Sequence, residues 1–194
     1  MAVTLNWEGP VGPGVFPLDD ALLFERLCEP GVYLRIKRYR SGRTVAYAGQ
    51  SVSLLARFDQ HLCALLSLAA PVRDADGGIV IAGDAGSRLE AYQDLPDAAA
   101  LAAADAGRVR FWYALCDEYF HVEHLSVAEG LIQRRIAERI ADVENAIAAP
   151  GQLPDDVPDV WRNDFSGLGA EDRPLLDSLL GAEPMTLAAV GHAI

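Results

Sequence analysis

Hydrophobic and polar positions alternate with two different periods along the chain, and each change of period predicts a new element. Within residues 31–39 apolar and polar side chains take alternate positions, which is the period of a half-buried β-strand. A turn rich in glycine and arginine and a second β-forming run over residues 44–48 follow, so this segment predicts a β-hairpin. Residues 108–116 alternate in the same way and predict a third strand.

Other segments repeat their apolar positions with the period of a helix. Leucines and a phenylalanine recur at helical spacing over residues 53–69, and aliphatic residues do so from Ser126 to about Ala149. Shorter helices are predicted over residues 21–28, 96–104 and 173–180. The two longest patterns predict helices that pack against the strands.

These elements predict a mixed α/β (α+β) protein with a small, three-stranded, mostly antiparallel sheet flanked by helices. Prolines and glycines make residues 1–20 an expected extended arm with little regular structure. We expect an N-terminal arm and short helix over residues 1–30, and a core over residues 31–149 with an insertion at 70–107. A C-terminal extension would occupy residues 150–194.

Composition excludes several classes of protein. The 194-residue chain has a net charge of −12, which disfavours proteins that coat nucleic acid or bind anionic membranes. No signal peptide and no membrane span are expected. The three cysteines match no metal or disulfide framework, and a reducing, cytoplasmic location is the expectation.

The charge is unevenly distributed along the chain. Residues 31–61 hold six cations against one acid, a local charge of +5, which leaves −17 for the remainder. Such a basic segment predicts local contact with phosphate groups. A solvated outer face of the hairpin is the alternative interpretation of the same residues.

The basic segment also carries two tripeptides in a particular order. The first strand begins Gly31-Val32-Tyr33, and the second contains Tyr47-Ala48-Gly49. The next helix carries Arg57 and His61, four residues apart and therefore on one helical face. A third strand follows, and then a helix with Glu129. This order resembles the GIY-YIG nuclease superfamily over about residues 30–145.

The resemblance implies the GIY-YIG fold and a metal-dependent DNA endonuclease that hydrolyses phosphodiester bonds, most similar to stand-alone restriction enzymes of that family. Glu129 would hold one Mg²⁺ or Mn²⁺, and Arg57 would neutralise charge on the phosphate. Tyr33 would activate the attacking water, and His61 would accept or orient the proton of Tyr33. Tyr47 would contact the phosphate or the water.

An asparagine supports the active site in the restriction subgroup. Residues 158–169 resemble the Trp-Asn…Gly-x-Gly tail of that subgroup, which makes Asn163 the candidate. Here Arg162 separates the tryptophan from Asn163, so Asn145 is the alternative.

The expected partner is double-stranded DNA, and a homodimer would suit palindromic sites. The polar residues of the hairpin are the candidate DNA contacts: Arg35, Lys37, Arg38, Arg40, Arg43, Gln50 and Ser51. Two alternatives stay open, namely a non-catalytic DNA-binding module with the same fold and a nuclease for RNA or repair intermediates.

Some candidate residues also have a purely structural interpretation. The tyrosines could be ordinary strand formers, and Ser126-Val127-Ala128-Glu129 matches a capping box in which Glu129 bonds the Ser126 amide. Residues 121–124, His-Val-Glu-His, lack the HEXXH order of a helical zinc site, so a polar loop is the favoured interpretation.

Overall fold

The structure is a computed structural model that describes residues 2–12, 21–144 and 156–187. Its strands are β1 (Ala2–Asn6), β2 (Glu8–Val11), β3 (Gly31–Arg38), β4 (Thr44–Ser51), β5 (Val72–Arg73), β6 (Ile79–Ile81), β7 (Arg110–Leu115), β8 (Val160–Asp164) and β9 (Met185–Thr186). Its α-helices are α1 (Ala21–Leu27), α2 (Leu54–Leu66), α3 (Ala85–Asp94), α4 (Ala98–Ala106), α5 (Leu125–Ala137) and α6 (Arg173–Leu180). A 3₁₀ turn, Val122–His124, precedes α5. The fold is therefore mixed α/β, as predicted.

The central sheet has the order β2-β7-β3-β4, and all its neighbouring strands are antiparallel. The three strands that the sequence predicts, β3, β4 and β7, pair as expected. The addition is β2, which lies in the predicted unstructured arm. Because β2 is an edge strand, its Pro10 breaks no essential ladder hydrogen bond.

A second sheet joins the two ends of the described chain. β1 pairs in parallel with β8, from Ala2 opposite Val160 to Asn6 opposite Asp164, and β9 pairs antiparallel with β8. The expectation of little regular structure over residues 1–20 is thus wrong for residues 2–11. These strands are short, and local pattern does not reveal a partner so distant along the chain.

The two faces of β3 bury different clusters. Val32, Leu34 and Ile36 pack with α5 and the second sheet. Trp161 of β8 and Trp7, which lies between β1 and β2, are fully buried in the same cluster. Tyr33 faces the other side and packs with α2, in particular Phe58. The alternation seen in the sequence therefore places the tyrosine between sheet and helix.

The long helix that begins near Ser126 ends earlier than predicted. α5 stops at Ala137, and Val143 instead forms a parallel bridge with Ala46 of β4. The Ala46 amide donates to the Asp142 carbonyl at 3.0 Å, and the Glu144 amide donates to the Ala46 carbonyl at 2.9 Å. Pairing with the edge of β4 thus replaces the helical hydrogen bonds. Residues 145–149 of the predicted helix lie outside the described residues.

The predicted insertion contains more structure than its sequence pattern indicates. Residues 79–81 form the short strand β6, and the helix predicted over residues 96–104 is α4. α3 is the element that the periodicity does not reveal, because it is polar on most sides. Its start was detectable, since the Asp84 carboxylate caps it by accepting the amides of Gly86 and Ser87 at 2.9 Å.

None of the helices in the described ranges is both long and apolar enough to cross a bilayer.

A buried ion pair attaches the insertion to the hairpin. Lys37, on β3, donates to Oδ2 of Asp105 on α4 at 2.9 Å, and both side chains are almost completely buried. The Tyr39 hydroxyl donates to Oδ1 of Asp105 at 2.9 Å, and the Arg73 amide donates to Oδ2 at 3.2 Å. One carboxylate therefore satisfies three buried donors from two segments, the β3 region and β5.

We expect Asp105→Ala to lower the free energy of unfolding by about 3 kcal/mol, because it leaves the Lys37 ammonium buried without its nearest partner. Asp142→Ala is the matched control, since its pair with Arg43 is partly exposed and the expected cost is below about 1 kcal/mol. Urea unfolding at pH 7 measures both. Equal costs in the two variants would contradict the assignment.

Candidate functional site

Tyr33 lies opposite a glycine that makes room for it. In the register of the hairpin, Tyr33 of β3 pairs with Gly49 of β4. A Cβ built on Gly49 would overlap the hydroxyl and ring of Tyr33, so no larger residue fits without moving the tyrosine. Gly31 is restricted in the same way, because a Cβ there would lie 2.5 Å from the Ala114 carbonyl oxygen on β7. Steric contact thus accounts for both glycines of the two tripeptides.

The ring of Tyr33 is enclosed by other aromatic rings. It is 1% exposed and contacts Phe58 edge-on at a centroid distance of 5.6 Å and Tyr47 in a stacked arrangement at 6.1 Å. Burial raises the pKa of the Tyr33 hydroxyl, and Tyr47 raises it further, while the charges of Arg57 and Arg35 lower it. Burial dominates, so the hydroxyl is protonated at neutral pH.

His61 links Tyr33 to a buried arginine. Its Nε2 lies 2.6 Å from the Tyr33 hydroxyl oxygen, and its Nδ1 lies 2.9 Å from Nη1 of Arg35. A guanidinium can only donate, so Nδ1 must be the acceptor. A neutral imidazole then carries its proton on Nε2 and donates it to the oxygen of Tyr33. Arg35 therefore fixes the tautomer of His61.

His61 keeps this neutral form over a wide pH range. Burial lowers the pKa of His61 to about 3, and the charges of Arg35 and Arg57 act in the same direction. A protonated ring would place a donor against the Arg35 guanidinium. In its neutral form His61 donates a hydrogen bond from Nε2 to the Tyr33 oxygen, which is consistent with an orienting role.

Arg57 is a cation without a partner. It lies on α2, one turn before His61, and its Nε is buried without a hydrogen-bond partner. No acid of residues 2–12, 21–144 or 156–187 lies within ion-pair distance of it, whereas Arg35, Lys37 and Arg43 are all paired. Its charge lowers the pKa of both Tyr33 and Glu129. The site therefore holds an uncompensated positive charge.

Glu129 reaches the site from the opposite face of the sheet. Its Oε2 accepts from Nε2 of Gln50 at 3.1 Å, and its Oε1 accepts from Nε2 of Gln133 at 3.2 Å. Burial raises the pKa of this carboxyl, while the Gln50 hydrogen bond and the Arg57 charge oppose the rise. It is thus a partly desolvated carboxylate held by two amides.

The predicted capping box does not form. The 3₁₀ turn leads directly into α5, which begins at Leu125, so Ser126 lies inside the first turn. Glu129 is then in the second turn and bonds Gln50, not the Ser126 amide. The structural interpretation of Glu129 that the sequence offered is therefore wrong.

The side chains of the site lie around the outer edge of β4. The bridge with Val143 covers only Ala46, and β4 is the outer strand of the central sheet. α2 brings Arg57 and His61 to one side of this strand, and α5 brings Glu129 to the other. The charge of Arg57 lowers the pKa of Tyr33 and of Glu129, and the charge of Glu129 raises the pKa of Tyr33. A neighbouring cavity of about 450 Å³ is lined by Arg35, Tyr47 and His61, and the Arg35 guanidinium lies 5.0 Å from the Tyr47 ring centroid.

Two predicted DNA contacts are buried. Arg35 and Lys37 are 5% and 1% exposed and form ion pairs with Glu144 and Asp105 respectively. They face the protein interior, so the structure does not support their assignment as DNA contacts. The reason is that β3 directs them toward α2 and α4, into the core.

The other predicted contacts divide into paired and free groups. Arg43 donates to Asp142 and to the Gly77 carbonyl, and Ser51 donates to the Ser53 carbonyl at 2.6 Å. Gln50 is the partner of Glu129. Arg38 and Arg40 are exposed. Three acids distant in sequence thus pair with three of the six cations of the basic segment: Asp105, Asp142 and Glu144.

Sequence reasoning missed a second group of arginines. Arg108 and Arg110 line a cavity of about 400 Å³ together with Arg38. Both arginines lie outside the basic segment of residues 31–61. The signal available in the sequence was the presence of two arginines at the start of the strand predicted over residues 108–116.

Asn163 does not lie in this cluster. It is on β8 in the second sheet, where its Oδ1 accepts from Nε1 of Trp7 at 2.9 Å and its Nδ2 donates to the Gly181 carbonyl at 3.4 Å. These bonds give it a structural role between the second sheet and the end of α6, and the structure does not support its catalytic assignment. The alternative, Asn145, lies outside the described residues.

We expect Gly49→Ala to displace the Tyr33 ring, because the new methyl group would overlap it. The expected cost is about 1–3 kcal/mol, typical of overpacking. The NMR signal of the His61 Nε2 proton should shift as its bond to Tyr33 is lost. In Gly169→Ala, the control, the new Cβ makes only an ordinary 3.5 Å contact with Asp172 and stability should change by less than about 0.5 kcal/mol.

We expect His61 to contribute to acid instability. The unfolded chain binds a proton near pH 6.5 and the folded site only near pH 3, so protonation favours unfolding as the pH falls between these values. The slope from this group reaches at most about 1.4 kcal/mol per pH unit. Urea unfolding from pH 7 to 4 should give a shallower dependence for His61→Gln than for the unmodified protein. Identical slopes would show that His61 titrates normally.

Comparisons with known proteins leave the site to be interpreted from its geometry. No family model matches the chain, and no curated protein or solved structure matches it. The chemistry of the cluster formed by Tyr33, His61, Arg57 and Glu129 therefore provides the basis for a functional proposal.

Proposed function

We propose that the protein is a metal-dependent DNA endonuclease of the GIY-YIG type. The observation that carries this proposal is the Arg57 guanidinium, whose buried Nε has no hydrogen-bond partner among the described residues and whose charge lowers the pKa of both Tyr33 and Glu129. An uncompensated, partly buried cation beside a carboxylate is suited to a phosphate group that bridges it and a bound metal. The four side chains fit the roles that the sequence resemblance implies.

The donor set fits a hard divalent cation. Glu129 offers two carboxylate oxygens, and Gln50 next to it carries an amide oxygen. Mg²⁺ and Mn²⁺ prefer such oxygens, and Mg²⁺ keeps several of its waters, so one carboxylate is sufficient for a phosphate-bridged ion. When bound, the ion would polarise the scissile phosphate and stabilise the leaving 3′ oxygen.

Tyr33 is the proposed acceptor of the proton from the attacking water. Because the hydroxyl is protonated at neutral pH, Tyr33 would first have to release its own proton to solvent. The water oxygen would then bond to phosphorus as the bond from phosphorus to the 3′ oxygen breaks, the Tyr33 phenolate would take the proton that the water releases, and the 3′ oxygen would leave with the bonding electron pair. His61 donates a hydrogen bond from its Nε2–H group to the Tyr33 oxygen, and this bond stabilises the phenolate form. The charges of Arg57 and Arg35 act in the same direction, against the effect of burial.

Arg35 is a positioning residue in this scheme. It touches neither water nor phosphate, but its hydrogen bond to Nδ1 keeps the Nε2 proton of His61 directed at Tyr33. Loss of that hydrogen bond would allow the other tautomer, in which Nε2 could only accept. Arg35 thus acts through His61.

The proposed substrate is double-stranded DNA, contacted through the exposed Arg38 and Arg40. The rest of the chain is strongly acidic, so it should repel DNA and confine binding to the face that bears the site. Because the attraction comes from arginines that contact phosphates, binding should weaken as the salt concentration rises. Cleavage of both strands at a palindromic site would need two copies of the chain.

A second candidate is a non-catalytic DNA-binding module. The observation that favours it is the environment of Glu129, where two glutamine amides already occupy the carboxylate and burial raises its pKa. A carboxyl in such surroundings binds cations less readily than an exposed one.

The test is cleavage of plasmid DNA and of a structured RNA with Mg²⁺, Mn²⁺ or EDTA. We expect metal-dependent cleavage of DNA by the unmodified protein, and a loss of at least about 100-fold in Tyr33→Phe and Glu129→Gln. Discrete fragments would indicate a restriction-type enzyme. Tyr39→Phe and Glu138→Gln are matched controls, since Tyr39 bonds Asp105 and the exposed Glu138 lies just beyond the end of α5.

The remaining outcomes of this experiment distinguish the candidate functions. DNA binding without cleavage under all metal conditions would support the non-catalytic module. Cleavage of RNA but not of DNA would show that the substrate is RNA and not double-stranded DNA. Equal activity in Tyr33→Phe and Tyr39→Phe would rule out the assigned role of Tyr33.

A further inference from the structure

We propose that His121, Glu123 and His124 form a second metal site, which binds a Zn²⁺-like transition metal ion. One ligand atom from each of these side chains lies within 4.8 Å of the others. The site precedes α5 and uses none of the groups proposed for DNA cleavage, so it stands independently of that function. The sequence alone favoured a polar loop at this position.

The 3₁₀ turn explains how residues so close in sequence converge. Residues three apart lie above one another in a 3₁₀ helix. The rings of His121 and His124 are accordingly stacked, with centroids 5.3 Å apart and planes 8° from parallel. Glu123 adds its carboxylate beside Nδ1 of His121, 3.4 Å away. A regular strand or α-helix would not place these three groups together.

His121 has the hydrogen bonding expected of a metal ligand. Its Nε2 lies 2.8 Å from the Glu118 carbonyl oxygen, which can only accept, so Nε2 carries a proton. In the neutral ring the lone pair is therefore on Nδ1, which lies beside Glu123 and also accepts a hydrogen bond from the His124 backbone amide, so a bound metal ion would replace that hydrogen bond. A backbone carbonyl that fixes the tautomer in this way is the usual second partner of a metal-bound histidine.

His124 supplies a buried nitrogen that lacks a partner. The side chain is 3% exposed, and its Nε2 makes no hydrogen bond, although Oδ1 of Asp156 lies 3.8 Å away. A buried polar atom without a partner is costly, and a metal bond would satisfy it. Coordination through Nε2 requires the proton on Nδ1, so the 3.3 Å hydrogen bond that Nδ1 accepts from the His121 amide in the capping box would be lost and that amide would need another acceptor.

The donor set indicates the class of metal. Two imidazole nitrogens and one or two carboxylates, with Asp156 as the fourth candidate, suit Zn²⁺ and its neighbours better than Mg²⁺. Two carboxylates also balance a divalent charge. Because Glu123 and Asp156 are largely exposed, they can move to complete the coordination shell.

The competing explanation needs no metal. The Glu118 carbonyl and the Glu123 carboxylate raise the pKa of His121, so a protonated His121 could pair with Glu123. In that case protons and not metal ions would hold the cluster together. The two explanations differ in whether Zn²⁺ binds with a defined stoichiometry.

Titration calorimetry with Zn²⁺ at pH 7.5 tests the proposal, with Co²⁺ absorption as an optical readout of tetrahedral nitrogen and oxygen ligands. We expect one ion per chain, with affinity at least about 10-fold weaker in His121→Ala and in Glu123→Gln. Both residues are exposed, so these variants should fold, whereas the buried His124 is a less safe target. His61→Gln and Glu129→Gln are controls that should retain the Zn²⁺ affinity.

Unchanged affinity in His121→Ala would overturn the proposal, as would the absence of Zn²⁺ binding below about millimolar concentration. Loss of binding in Glu129→Gln together with unchanged binding in His121→Ala would place the ion at Glu129 instead. None of these outcomes depends on DNA cleavage, so the metal site and the nuclease proposal can fail separately.

Discussion

The fold depends on burying two cations that the middle strand β3 directs into the core. Arg35 and Lys37 share a face with Tyr33, and taking such charges out of water costs several kcal/mol each unless acids accompany them. The acids are Asp105 on α4 and Glu144 beyond α5. The predicted insertion and the segment after α5 must therefore dock on the hairpin, or its charged face would remain in solvent.

The same pairing prepares the candidate site. Glu144 holds one side of the Arg35 guanidinium, and the other side donates to His61, which in turn donates to Tyr33. A structural ion pair thus determines the proton position on the His61 ring, because Arg35, one member of the pair, donates a hydrogen bond to that ring. Arg57, on the next helix, is the contrasting case, because no acid among the described residues forms an ion pair with it.

The sequence predicted the features that local pattern encodes. The hairpin and α2 follow from periodicity, and the spacing of Arg57 and His61 places them on one helical face. The local charge of residues 31–61 did not predict which cations are exposed, because the acidic partners of Arg35 and Lys37 lie 109 and 68 residues away along the chain. Chain order likewise could not show that strand pairing would end α5, nor that Asn163 belongs to the other sheet.

The parallel pairing of β1 with β8 has a consequence for how the chain folds. Ala2 lies opposite Val160, so this contact closes a loop that includes the whole central sheet and nearly all the helices. Closing so long a loop lowers the entropy of the chain before its contacts can stabilise the fold. The β1–β8 pairing is therefore unfavourable until the intervening chain is compact. The β3–β4 hairpin can form locally and early, whereas the second sheet can assemble only on a core that already exists. During folding, the hairpin that carries Tyr33 and Tyr47 should accordingly form before the second sheet.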